Sequence, residues 1–153
     1  MIGTALLTTW YDDRAKSNDD GIAISITLFS GVTLYASMIG DNVTADNFEW
    51  ARRKTNTVKR FGTSSFCRGQ SRLAKGKPAD DPLLGADYAH GGAFPVRIQG
   101  CPHPVGAIAV SGLTQVEDHA YIIAVLKRYW RCIVSTRVGE SRTTSSSLEV
   151  NGR

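Results

Sequence analysis

The side chains with the clearest chemical potential are basic. Between Trp50 and Lys77 the chain carries nine Lys or Arg residues and no Asp or Glu, with Arg52, Arg53, Lys54 and Arg60 in the first half of the run. Such a run is either a solvated helix face with a basic loop or an anion site. As a site it suits phosphates, carboxylates or porphyrin propionates, which forked Arg donors recognise. Arg52 and Arg53 project about 100° apart on a helix, so they do not squarely face one ligand. Ser64 and Ser65, at the start of a short predicted helix, offer hydroxyl and backbone donors to an anion. Nucleic acid is a third class of partner for this charge. However, Trp50, Phe61 and Phe66 fall at core-like spacing, and no RNA-recognition signature or zinc finger is present, so that reading ranks last.

His90, His103 and His119 lie 13 and 16 residues apart, which matches no zinc template and argues for no metal site. His119 is the candidate ligand or acid–base group, weighed against a structural role beneath a sheet edge. Ser111, Asp118 and His119 together hold the residue types of a hydrolase triad. The geometry argues against one. Ser111 sits in Val-Ser-Gly, without a nucleophile elbow. Asp118 and His119 are adjacent on a predicted helix and diverge, so the carboxylate does not orient the imidazole. With no catalytic set, the sequence leans away from an enzyme. Gly91 and Gly92 read as a turn requiring positive φ. They also suit close backbone approach to a flat ligand or a partner subunit.

The elements that must position these residues follow from pattern. Ile2, Leu6, Thr9, Trp10 and Asp13 share one face of a first helix, expected to end near Lys16. Two β-type runs, residues 22–29 and 32–38, flank a two-residue connection and predict a hairpin. A helix over about Ala45 to Phe61 follows, then a short one from Ser64 to Leu73 and a turn-rich loop at 75–82. Gly91–Ile98 opens a second strand pair, and Pro95 confines its first strand to a sheet edge. Val105–Leu113 is the returning strand. Thr114-Gln-Val-Glu117 is a capping box, so a helix begins at Gln115. Val116, Ala120, Ile123 and Leu126 are expected to form its core face. The order is α-β-β-α-α-β-β-α, an α+β fold with helices packed on an antiparallel sheet.

The same stretches carry a family resemblance. Gly91-Gly-Ala-Phe94-Pro-Val-Arg-Ile98, Val105-Gly-Ala-Ile-Ala-Val-Ser111-Gly-Leu113 and Asp118-His119 resemble the haem-degrading-domain superfamily of HbpS- and GlcG-like proteins. The likeness is closest to a branch of small cytosolic proteins of unassigned function. Asp46-Asn47, Glu49-Trp50, Arg52-Arg53-Lys54, Arg60-Phe61-Gly62 and Ser64-Ser65 are similar to that branch as well. The likeness covers roughly residues 3–130. It raises haem as a ligand without placing it; were His119 to bind the iron, its imidazole would serve as an axial ligand. It also implies self-association into a homo-oligomer and a family N-terminal helix that would precede Met1. The leading expectation is a non-enzymatic oligomeric module that engages cytosolic proteins. Binding of haem or a small anion is the alternative, and haem degradation would follow from it.

Composition sets the outer bounds. The chain has 153 residues, 42% hydrophobic and 21% charged, with a net charge of +4, which fits one globular domain. No apolar run approaches the ~18 residues of a membrane span, and no signal peptide is apparent, so the expected location is cytoplasmic. Cys67, Cys101 and Cys132 are odd in number and form no CxxC pair, as expected of reduced thiols. The domain is expected over 1–132. Residues 133–153, rich in Ser and Thr, read as a disordered tail.

Overall fold

The structure, a computed structural model, describes residues 2–14 and 21–143, with side chains for 2–11 and 21–130. The elements are α1 (Ile2–Arg14), β1 (Ile22–Leu28), β2 (Thr33–Ile39), α2 (Ala45–Phe61), α3 (Ser65–Leu73), a 3-10 segment (Pro82–Asp87), β3 (Ala93–Val96), β4 (Gly106–Ser111) and α4 (Gln115–Thr143). This is the α+β order that the sequence predicts. The end of α1 near Lys16 falls outside the described residues.

The four strands form one antiparallel sheet in the order β2-β1-β4-β3. The two hairpins are joined through β1 and β4, which occupy the centre. Alternation along these strands splits the sheet into two unlike faces. Ile22, Ile24 and Ile26 of β1 and Ile108 and Val110 of β4 pack against Leu6 and Trp10 of α1 and Ile122 and Val125 of α4. The opposite face is made of small side chains: Ala93, Ala107 and Ala109 meet Ala51 and Val58 of α2. Pro95 lies in the edge strand β3, where its missing N–H removes no ladder bond.

Local signals in the sequence account for the helix starts. The Thr114 N–H donates to the Glu117 carboxylate at 3.2 Å, and the Glu117 N–H donates to the Thr114 hydroxyl at 3.4 Å. That is the reciprocal capping box, and α4 begins at Gln115. The Asn47 side-chain oxygen accepts from the Thr44 N–H at 2.8 Å at the start of α2. Gly62 closes α2 in the left-handed conformation, φ 69°, its N–H donating to Val58 O.

Two expectations are corrected. The core face of α4 is not the one drawn through Val116 and Ala120. Val116 is 61% exposed and Ala120 is exposed, whereas Asp118, Ile122 and Val125 are buried. The helix is turned because a charged residue, Asp118, points inward to a cation supplied by α2. Apolar periodicity does not detect an inward charge. The second correction concerns length: α4 continues as helix to Thr143, past the expected domain end at 132. Extending an established helix fixes few dihedrals per bond gained. Residues 144–153 lie outside the described part of the chain.

The turned face has a direct test by chemical denaturation. Ile122→Ala is expected to lower stability by about 2–5 kcal/mol. Val116→Ala is expected to stay within about 0.5 kcal/mol of the parent. Equal losses would return the helix to the expected face.

Candidate functional site

The centre of the molecule is a buried ion pair. Lys54 on α2 donates from Nζ to Asp118 Oδ2 at 2.6 Å, and their side chains are 4% and 1% exposed. The same ammonium donates to Val110 O of β4 at 3.0 Å. Asp118 Oδ1 accepts from the Leu113 N–H at 3.2 Å. Burial pushes the Asp118 carboxyl above its usual range, while Lys54 and the Leu113 N–H pull it down. Three elements therefore meet at one charge pair: α2, the end of β4 and the first turn of α4.

Gly91 and Gly92 adjoin this pair, and both take positive φ, 78° and 56°. A Cβ on Gly92 would lie 2.5 Å from Val110 O, 2.8 Å from Asp118 Cβ and 2.9 Å from Lys54 Nζ. The close approach expected of the glycine pair is thus an approach to an internal ion pair. Ser65, at the start of α3, fixes the turn. Its buried hydroxyl donates to Gly91 O and accepts from the Ala93 N–H at 3.0 Å. Ser64 is the N-cap of α3, its hydroxyl accepting from the Cys67 N–H at 3.1 Å.

The surface arginines fall into a different arrangement. Arg52 and Arg53, three and four residues after Glu49, both hold its carboxylate, at 2.7 and 2.9 Å. Those two guanidiniums, Arg52 foremost, hold the Glu49 carboxyl down at about 2. Arg52 also reaches Asp87 at 2.8 Å. Arg60 lies over the Tyr88 and Phe61 rings. The candidate cations are thus separated, with Lys54 inside the fold and Arg52, Arg53 and Arg60 outside.

His119 points away from Asp118 and stacks on Phe66 of α3, centroids 4.6 Å apart. Its Nδ1 is buried with no hydrogen-bond partner among the described residues, and burial lowers its pKa from 6.5. Ser111, at the end of β4, is 4% exposed on the side facing α2. Among the described residues no group of three or more His, Cys, Asp or Glu side chains could hold a metal ion.

Two openings lie near these residues. An apolar groove of about 590 Å³ runs between the β3 edge and α4, lined by Phe94, Ile123, Leu126 and Trp130, with Ile2, Lys127 and Tyr129 beside them. By helical spacing His119, Ile123, Leu126 and Trp130 share that flank of α4. A smaller cleft of about 270 Å³ opens above Lys54, between Asn47 and Trp50 of α2 and Ser111, Leu113 and Gln115. Sequence reasoning named Phe94, Ser111 and Lys54 but missed Trp50, Gln115, Ile123 and Trp130 as lining residues. One signal was available. Lys54 falls in the apolar stripe of Ala51 and Val58, and Asp118 in that of Ile122 and Val125, so each charge requires a buried partner.

A two-hairpin sheet with α2 on its alanine face and α1 and α4 on its isoleucine face defines the class: a small α+β domain with an internal Lys–Asp pair. Comparison with known proteins gives the family. A family profile described as "Haem degrading protein HbpS-like" matches residues 5–127. A "UPF0303 protein" of Rhizobium etli is 41% identical over 128 residues, covering 79% of this chain and 76% of that protein. The chain therefore belongs to the HbpS-like haem-degrading protein family and is a relative of its UPF0303 proteins. Among solved structures, the Ybr137w protein superposes with a TM-score of 0.72 at 28% identity, covering 84% of this chain and 73% of that one. A solved PduOC:Heme complex shares the fold, with a TM-score of 0.60 at 15% identity over 81% of this chain and 88% of that one.

The ion pair is tested by a double-mutant comparison. Lys54→Met alone strands a buried carboxylate and is expected to lower unfolding stability by about 3–5 kcal/mol. Lys54→Met with Asp118→Leu removes both charges and is expected to recover most of that loss. A double variant no more stable than Lys54→Met would mean that the two charges are not coupled.

Proposed function

We propose that the protein is a self-associating, non-enzymatic binding module, and that the free edge of β2 is where one copy meets another. The observation that carries this is the chemistry of that edge. From Gly21 to Gly40 the chain has no charged residue. Val32, Leu34 and Met38 are 54%, 59% and 45% exposed on and beside the outer strand. Soluble proteins protect exposed edges with charges or prolines. Here β3, the other edge, contains Pro95, but β2 has no such device. A chain of net charge +4 repels its own copy least where no charge lies. A second copy can add its own β2 to the sheet and cover the apolar stripe.

The side chains best suited to chemistry are already engaged in structure, which supports a binding role over a catalytic one. Asp118 holds Lys54, and His119 lies on Phe66. A cytosolic location fits the odd number of cysteines in the sequence, and Cys67 and Cys101 are free thiols. Sedimentation or light scattering of the parent is expected to give a species larger than one chain. Leu34→Lys with Met38→Lys is expected to shift it to the monomer without loss of fold. A monomeric parent would overturn the proposal.

A second reading rests on the groove beside α4. Its volume, its aromatic lining and the Lys127 ammonium beside it suit a flat apolar ligand with acidic substituents, such as a porphyrin. The family name and the haem of the PduOC complex point the same way. The residues fit the macrocycle and not the iron. An axial imidazole is ordinarily oriented by a partner on its second nitrogen. Nδ1 of His119 has none among the described residues, and its ring is held against Phe66. Haemin titration followed in the Soret region is expected to saturate at one per chain, unchanged in His119→Ala and abolished in Leu126→Asp. A spectrum that depends on His119 would restore the axial role.

A further inference from the structure

The Lys54–Asp118 pair is buried but not sealed, and the cleft above it is built of donors. A lysine ammonium has three N–H bonds. Two are taken, by Asp118 and Val110 O, which leaves one N–H, and Lys54 is among the residues that line the cleft. Beside it Ser111, 4% exposed, lines the cleft with a hydroxyl that makes no hydrogen bond to any described residue. The rim carries the Gln115 and Asn47 side-chain amides. Gln115 also opens a 29-residue helix whose positive end is directed here.

Among the described residues no carboxylate lines the cleft. Asp118 lies behind the ammonium, and Glu117 is engaged with Thr114 at the cap. The remaining wall is Trp50, 37% exposed, which is anchored at its edge by a hydrogen bond from Nε1 to Asp46 and stacked under Arg53 at 4.9 Å. The site thus presents one cation, one free hydroxyl and one aromatic wall.

We propose that this cleft binds a small organic monocarboxylate, its two oxygens on Lys54 and Ser111 and its apolar body against Trp50. One carboxylate oxygen matches each free donor. A dianion such as phosphate is poorly matched, because the single ammonium already faces Asp118. At about 270 Å³ the cleft is just below the range of drug-sized sites, so the ligand is small. This site is independent of the β2 edge and of the groove beside α4.

The test uses the full chain with sodium benzoate and sodium butyrate as probes, and benzamide and inorganic phosphate as controls. Calorimetry is expected to show saturable binding of a carboxylate probe at one per chain. Amide spectra are expected to shift at Gly112 and Gln115 and at the Trp50 indole. Benzamide and phosphate are expected to give neither response. Ser111→Ala, with an unchanged melting temperature, is expected to weaken binding about tenfold or more, as for loss of a charge-assisted hydrogen bond. Trp50→Ala leaves the ion pair intact and is expected to weaken benzoate more than butyrate. Absence of binding by both carboxylates, equal affinity in Ser111→Ala, or phosphate binding in their place would overturn the proposal.

Discussion

The contact on which the structure depends is the ion pair between Lys54 and Asp118. Two opposite charges in a dry interior are stable only when their geometry is tight and their remaining groups are bonded. Here the ammonium has Val110 O as well as the carboxylate, and the carboxylate has the Leu113 N–H as well as the ammonium. The partners are 64 residues apart in sequence and bring α2 and α4 together at one end of β4. That junction turns α4 on its axis and fixes which of its residues face the core. It also removes all space for a side chain at Gly92. The Ser65 hydroxyl then holds the glycine turn from the far side.

Much of the fold is legible in the sequence because its signals are local. The hairpin of β1 and β2, the capping box at Thr114 and the edge position of Pro95 each follow from a few adjacent residues. The face of α4 was misread for the opposite reason. Val116, Ala120 and Ile123 keep helical spacing, and only a partner on another element explains why Asp118 turns inward. The basic segment was misleading in a similar way. A window without acids reads as free positive charge, yet Glu49, one residue outside it, engages both Arg52 and Arg53.

The candidate site was legible in composition and not in arrangement. Gly91, Gly92, Ser65 and Lys54 carry ligand-binding readings in the sequence and Asp118 a triad one, and these residues do converge. They converge largely on one another. Of the triad types, Asp118 and His119 diverge as adjacent helix positions must. Asp118 faces α2, and His119 lies on Phe66 of α3. What sequence could not supply is the space between elements, since the cleft beside Trp50 and the groove beside Trp130 exist only once helices are placed on the sheet.

The alanine face of the sheet has an electrical consequence. Ala93, Ala107 and Ala109 oppose Ala51, so the axis of α2 sits as near the strands as side chains permit. That nearness brings the Lys54 ammonium within reach of a backbone carbonyl on β4. The methyl groups act as a spacer that sets the separation of charges. Added volume on this face has to be taken up by a shift of the helix, which the stem of Lys54 must then follow to keep its contacts. In this molecule the volume of an apolar side chain is read out as a Coulombic quantity.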